Sequence, residues 1–452
     1  MAKTKKNKKE IVYVDEFQLS KEQQQAFDLI NNTLYNVFIQ GSAGSGKSYF
    51  INYLKRYLKK SSIVCSPTAT AAMNVGGMTL HSFFQLPVSD FITEKMLYKQ
   101  NRKKLNEMLQ HIEVLIIDEI SMVRPDMLDA INNICQYARR DKTRAFGGIQ
   151  VVLVGDLYQL PPVITSAATE IFEDFYGTKD PYFFDADIYK KGKFQKIEFT
   201  HIYRQQNDEL LDKLYNLRTN TKLKETLAYF NTCKIEDKNI LNQAVTITPY
   251  RASAEQINLQ KLDKLSGKAV KYKAILEGSF EKAKSFPVEK ELILKEGALV
   301  IFSKNNIPEW INGTMGIVTD LTEDTILVKL LGSGKTVFVT REEWKDHKYE
   351  ITENYNPETG KTEKNISEKT IGIFKQFPLQ LGYSLTIHRA QGKTLDKVII
   401  DMAKGAFAHG QLYVALSRTR NKEDMHIITP INVQDSIISP RVIDFMTQKL
   451  TV

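Results

Sequence analysis

Short, uniformly apolar runs alternate along this chain with longer stretches whose apolar residues recur at helical spacing. Such strand candidates fall at 37–40, 63–66, 114–118, 151–155, 195–200 and 245–249, and most of them lack the polar alternation of half-exposed strands. They predict strands buried on both faces and separated by helices, hence parallel sheets. The pattern returns at 298–303, 383–387, 398–401 and 426–429. That is more than one compact sheet holds, so two α/β lobes are predicted, changing over near residue 200. Between 316 and 378 the texture differs: GIVTDL, TILVKLL and TVFVT are β-patterned runs joined by turn residues, which predict a small all-β insertion, a five-stranded barrel. Residues 354–368 are polar and read as a mobile loop within it.

Candidate chemistry sits where the apolar runs end. VFIQGSAGSGKS ends a strand in Gly41, Ser42, Ala43, Gly44, Ser45, Gly46, Lys47 and Ser48, the full G-x-x-x-x-G-K-[ST] phosphate loop between strand and helix patterns. Glycines let the backbone turn its N–H groups inward around phosphates, and the helix N-terminus adds its positive end. Lys47 would reach the β- and γ-phosphates of a bound nucleotide, and Ser48 would ligate Mg²⁺. VLIIDE ends in Asp118, a second Mg²⁺ ligand, and Glu119, free to orient or deprotonate a water. VVLVGDLYQLPPV ends in Asp156 and Gln159, whose amide would contact the γ-phosphate. A hydrolase that divides its site between lobes also needs positive charge from the second lobe, for which Arg204 and Arg418, far downstream, are the candidates that the resemblance below singles out.

Two look-alikes carry no such weight. LLGSGKTVF ends like a second phosphate loop, but Lys329 stands where the first glycine belongs and strand patterns flank it, so it reads as a hairpin turn at 332–334. NKED at 421–424 reads as a charged turn.

The 452 residues, 42% of them hydrophobic, suit several ordinary cores, and no apolar run nears the ~20 residues that span a bilayer. No secretory pattern is visible at the start, so no membrane role is expected. The 3 cysteines form no ligand pair, which fits a reducing compartment. A net charge of +9 suits a polyanionic partner, although five of those charges are Lys3, Lys5, Lys6, Lys8 and Lys9 of a basic tail (1–14) expected to be disordered. Aromatics for stacking on single-strand bases would be Phe83, Phe84, Tyr250, Trp310 and Trp344.

GSAGSGKS, IIDEIS, GDLYQLPPV, YRQ, LTIHRAQGKTLD and YVALSRTR occur in one order across nearly the whole chain. Together they resemble the superfamily 1 helicases of type B, the branch of RecD, Dda and the petite-integration-frequency (PIF) family. LSKEQQQAF, AFGGIQVVLVGDLYQLPPV and SLTIHRAQGKTLDKVIID bring the PIF type nearest.

The resemblance implies two RecA-like P-loop lobes with parallel sheets, 15–200 and 201–315 with 379–452, an SH3-like β insertion at 316–378, and a wedge at about 84–105. It implies that Gln23 contacts adenine, that Arg204 and Arg418 are arginine fingers, and that Gly392 faces the nucleotide. It assigns DNA contacts to Pro67, Thr68, Ala69, His81, Phe83, Pro161, Thr386, His388 and Gln391.

The activity implied is ATP- and Mg²⁺-dependent 5′→3′ DNA unwinding in replication, repair or recombination. The alternatives are a translocase that strips proteins without unwinding, or a single-lobe P-loop switch, which would not need the two arginines or the HRAQG segment. Expected partners are single-stranded, tailed or forked DNA, with quadruplexes and RNA–DNA hybrids as further substrates. The active form is expected to be a monomer, cytoplasmic in a bacterium or phage host and nuclear or mitochondrial in a eukaryote.

Overall fold

The computed structural model describes residues 18–448 except 88, 99–101, 204–207, 236–237, 284–285, 307, 357–360 and 403. The basic tail and Arg204 lie outside the described residues. No helix among the described residues is long and apolar enough to cross a membrane.

The first lobe opens with helix α1 (Lys21–Asn32) and a sheet of six parallel strands: β1 (Val37–Gly41), β2 (Ser62–Ser66), β3 (Met78–Thr79), β4 (Val114–Ile117), β5 (Gln150–Gly155) and β6 (Gln195–Phe199), in spatial order β3-β2-β4-β5-β1-β6. Strand periodicity divides the core. Val37, Ile39, Val64, Ile116 and Val154 face one layer of helices, while Phe38, Ile63, Cys65, Ile117 and Leu153 face the other. Both faces of β1, β2, β4 and β5 are covered, which is why these four read as continuous apolar runs, whereas the edge strand β6 is partly exposed. Helix α2 (Lys47–Tyr57) follows β1, and α3 (Ala69–Asn74) follows β2, so loops that carry chemistry collect at the carboxyl ends of the strands.

The second lobe begins with β7 (Val245–Thr248) and helix Arg251–Asp263. The chain then leaves the parallel sheet. Strands β8 (Val270–Lys273), β9 (Ile275–Gly278), β10 (Glu291–Leu294), β11 (Leu299–Phe302), β12 (Met315–Leu321), β13 (Ile326–Leu330), β14 (Thr336–Val339), β15 (Glu342–Asn356), β16 (Lys361–Gln376) and β17 (Leu379–Leu381) make three antiparallel sheets, the largest ordered β14-β13-β12-β11-β17. The chain returns with β18 (Ser384–Thr386), β19 (Val398–Ile400) and β20 (Met425–Ile427), giving a parallel sheet β18-β7-β19-β20.

Three features differ from the expectation. The run at 298–303 is not a lobe strand: β11 pairs antiparallel with β12 and β17, so the β excursion runs from Val270 to Leu381 rather than 316–378. Residues 354–356 and 361–368 are not a loop. They form the outer part of the β15–β16 hairpin, in register from Glu342↔Gln376 to Asn356↔Lys361. The last helix, Pro440–Thr447, crosses back to the first lobe, where Phe445 stacks on Phe184 (4.3 Å between centroids) and Arg441 pairs with Asp185. Both look-alike motifs form turns, a β13–β14 hairpin and a short turn in which Asn421 donates to Asp424.

Candidate nucleotide site and nucleic-acid groove

The loop between β1 and α2 holds Gly44 and Gly46 at φ +86° and +82°, the left-handed region open to glycine at little cost. A Cβ on Gly46 would lie 2.8 Å from Gln23 Nε2 and 3.2 Å from the Tyr203 ring. Gln23 reaches this spot because it belongs to a capping box: its Oε1 accepts from the Ser20 amide (3.0 Å), which leaves Nε2 facing the loop. Lys47 Nζ lies on the carbonyls of Gly41 (2.7 Å) and Ser42 (3.0 Å). Ser45 Oγ is buried with no hydrogen-bond partner, a polar atom left for a ligand.

A cavity of about 490 Å³ brings together Ala43, Gly44, Ser45, Gly46, Lys47, Ser48, Asp118, Glu119, Gln159, Gly392 and Arg418. Tyr203, Thr394 and Arg420 also line it and carry no assignment from the motifs. Asp118 follows β4 and is buried, and Glu119 takes a left-handed turn (φ +51°) that sends its carboxylate to the same place. Burial, reinforced by the charge of Glu119, pushes the Asp118 carboxyl up to about 7. Burial raises Glu119 as well, against the pull of Lys47. Two adjacent buried carboxylates whose charged forms burial disfavours fit a hard divalent cation. Among the described residues no cluster of three or more His, Cys, Asp or Glu could hold a metal alone, so Ser48 and Asp118 would need phosphate oxygens or water to complete its shell.

Gln159 Nε2 donates to Asp156 Oδ2 (3.2 Å), and Asp156 also accepts from Gln40 (2.8 Å) and lies 3.5 Å from the buried Arg218. This network fixes the Gln159 loop. Arg218 belongs to no recognisable motif, so sequence reasoning missed it.

Arg418 is 1% exposed. It donates to the carbonyls of Val414 (2.6 Å), Ala390 (3.2 Å) and Lys393 (3.2 Å) and to Ser417 Oγ (2.6 Å). It thus braces its own lobe while lining the cavity. Ala43, at the phosphate loop, donates its amide to Tyr413 of the same YVALSRTR segment (3.1 Å).

A second cavity of about 510 Å³ adjoins the first. Its walls include Thr68, Ala71 and Asn74 from the first lobe and His388, Gln391, Gly392 and Lys393 from the second. Thr68 caps α3 (Ala71 N to Oγ1, 3.2 Å), as Thr386 caps the helix Ile387–Ala390 (3.2 Å) and Thr79 caps Leu80–Phe84 (3.1 Å). Burial lowers the His388 pKa, favouring the neutral ring. Glu119 and Gly392 line both cavities, and Gln391 Nε2 donates to Glu119 Oε2 (3.1 Å) across the lobes.

Not every expected DNA contact reaches this groove. Pro67, Ala69, His81, Phe83, Pro161 and Thr386 are not among its lining residues. Phe83 is a core residue, 4% exposed and edge-on to the buried Phe84 (4.8 Å). Trp310 packs on Phe302 (4.5 Å) and Trp344 on Phe374 (5.7 Å), both buried. These four rings are unavailable for base stacking. Tyr250 stays at the surface beside the exposed Phe407 (5.3 Å).

Residues 18–216 match the family model of PIF1-like helicases. Over 442 residues the chain is 33% identical to the ATP-dependent DNA helicase Pif1 of Bdellovibrio bacteriovorus, spanning 96% of this chain and 93% of that protein. The chain belongs to the Pif1-like helicase family. Its backbone superposes on Bacteroides sp. Pif1 in complex with ADP-AlF4 with a TM-score of 0.84 and 36% identity, over 95% of this chain and 97% of that one. Bacteroides Pif1 bound to ssDNA aligns at 0.67, also 36% identical, over 95% and 96%. The Pif1-like chain is thus an ATP-hydrolysing DNA helicase built on two RecA-like lobes.

Proposed function

We propose that this Pif1-like helicase moves 5′→3′ along single-stranded DNA, driven by hydrolysis of Mg²⁺-bound ATP between its lobes, and separates tailed, forked or folded DNA ahead of it. The observation that carries this reading is the Glu119–Gln391 hydrogen bond (3.1 Å), which joins the residue facing the reacting water to the wall of the DNA groove. A strand that shifts Gln391 would reposition Glu119, and hydrolysis would in turn alter the groove.

In this reading Gln23 and Tyr203 take the adenine, and Lys47 turns from the Gly41 and Ser42 carbonyls to the β- and γ-phosphates. Ser48 and Asp118 would hold Mg²⁺, which neutralises phosphate charge when bound. Glu119 orients or deprotonates the water. Gln159, fixed by Asp156, reads the γ-phosphate. Arg204 and Arg418 supply positive charge as the phosphoryl group departs. Thr68, His388 and Gln391 grip the strand, and the segment near 84–105 acts as the wedge.

The direction rests on the resemblance to type B helicases. The β character of the second-lobe excursion, Val270 to Leu381, supports it, since the opposite-polarity branch carries large helical insertions. The test uses duplexes with a single 5′ or a single 3′ tail. ATP-dependent opening of the 5′-tailed duplex alone is expected. Opening of only the 3′-tailed one overturns the direction, and ATP turnover with neither opened favours a translocase.

A further inference from the structure

Lys393 is a buried cation that the proposed cycle does not use. It sits on the turn after helix Ile387–Ala390, between Gly392 and Thr394. Those two neighbours line the nucleotide cavity; Lys393 lines the other one, the groove shared by Thr68, Asn74, His388 and Gln391. The residue is 7% exposed. Its ammonium carries three N–H donors, and one is engaged, by Asn312 Oδ1 at 2.9 Å.

No carboxylate among the described residues forms an ion pair with it. Two carboxylates stand on the groove wall, and both are taken. Glu289 pairs with Arg389 (3.1 Å), and Glu119 accepts from Gln391 (3.1 Å). The charged group nearest in effect is Arg389, of like sign: burial first, and then Arg389, depress the Lys393 pKa to about 8. A buried ammonium with one hydrogen-bond acceptor and no ion-pair partner among the described residues is costly unless an anion arrives to meet it.

The partner of Lys393 is also informative. Asn312 belongs to the turn between β11 and β12, in the β excursion. The next residue, Gly313, has φ +98°, and a Cβ there would lie 1.9 Å from the Thr394 carbonyl oxygen. The excursion is therefore pressed against the turn that carries Lys393.

We propose that Lys393 is an anion-binding residue of the groove, which takes a backbone phosphate of the bound single strand at the lobe junction while its bond to Asn312 ties the β excursion to that contact. This rests on the reading of the groove as a DNA track. Lys47 lines the nucleotide cavity, whereas Lys393 lines the groove and not that cavity, so the phosphate it would meet belongs to the polynucleotide. A phosphate here would give the ammonium a charged acceptor.

The experiment measures oligothymidine binding to the full chain across 50–200 mM salt for wild type, Lys393→Met, Lys393→Gln, Lys393→Arg and Asn312→Ala. Log K falls by about 0.7 per log unit of salt for each phosphate neutralised on a single strand. Wild type is expected to show a steep negative slope. Both neutral variants are expected to lose about 0.7 of that slope and roughly tenfold or more in affinity. Lys393→Arg keeps the slope, and Asn312→Ala keeps it too because the charge remains. Melting temperatures at or above wild type confirm that the neutral variants fold, and two of them guard against one failing. Wild-type slope in both neutral variants overturns the assignment of Lys393 and leaves the DNA-track reading standing. Equal loss of slope in Asn312→Ala also overturns it, since Lys393 would then be merely structural glue. A wild-type protein that does not bind the oligonucleotide overturns the track reading itself.

Discussion

Replacing Glu119 by glutamine isolates the charge of one oxygen. The amide keeps the carboxylate's shape, so the left-handed turn at φ +51° is undisturbed, and its carbonyl still accepts from Gln391 as the carboxylate does now at 3.1 Å. Asp118 and Ser48 are untouched, so metal and nucleotide binding should persist. What is lost is the acceptor for a proton of the attacking water. Removal of a positioned general base costs roughly 10²–10⁴ in turnover, or about 2.7–5.4 kcal/mol of barrier at 1.36 kcal/mol per tenfold. Nucleotide affinity should hold or rise, because one of two buried carboxylates beside the phosphates is neutralised. The assay is steady-state ATP turnover at saturating single-stranded DNA, with equilibrium binding of a fluorescent nucleotide. Turnover within threefold of wild type would refute the role given to Glu119. Parallel loss of binding and turnover would show that it holds the nucleotide or its metal instead.

Lys47→Ala should abolish hydrolysis and unwinding while oligonucleotide binding persists; near-wild-type turnover would displace the phosphate site from this loop. Arg418→Ala should still bind ATP but lose roughly 10³–10⁵ in turnover, the scale of an arginine finger. Because Arg418 also braces Val414, Ala390 and Lys393, its melting temperature should fall, and weak binding of a transition-state analogue separates the two effects. Lys393→Met should be more stable than wild type at pH 7 by roughly 1–4 kcal/mol, the range for replacing buried charges by apolar groups. The sign follows from its depressed pKa, about 8 in the folded chain and near 10.4 unfolded. Between those values the unfolded chain binds the extra proton, so wild-type stability rises with pH. The advantage of Lys393→Met should therefore shrink from pH 8 to 10 in paired thermal melts, and a constant gap would count against a buried charge at Lys393.

Much of the architecture was legible because lobes with both sheet faces covered leave long apolar runs, and because the phosphate loop is a local, contiguous device. Local signals failed where pairing decides the outcome. A four-residue run such as LVIF at Leu299–Phe302 looks alike in a parallel lobe and an antiparallel barrel, and its partners β12 and β17 settle the matter. The segment 354–368 is mostly polar and carries no period-two signal, although 354–356 and 361–368 pair along a long hairpin. Phe83, Trp310 and Trp344 were candidates for stacking because aromatic character is visible in sequence and burial is not. The Glu119–Gln391 bond spans 272 residues, and the surroundings of Lys393 depend on Asn312 across 81; neither is written in any local pattern.

The central claim is that the nucleotide cavity and the DNA groove form one coupled device. A motor of this kind must hold its strand with different strength in different nucleotide states. The most direct measurement is the dissociation constant of an oligothymidine with no nucleotide, with ADP, and with an ADP–aluminium fluoride complex, for wild type and Gln391→Ala. The coupled device predicts wild-type values that differ by about fivefold or more between states, with that spread compressed in Gln391→Ala. One and the same affinity in every nucleotide state of the wild-type protein would contradict it.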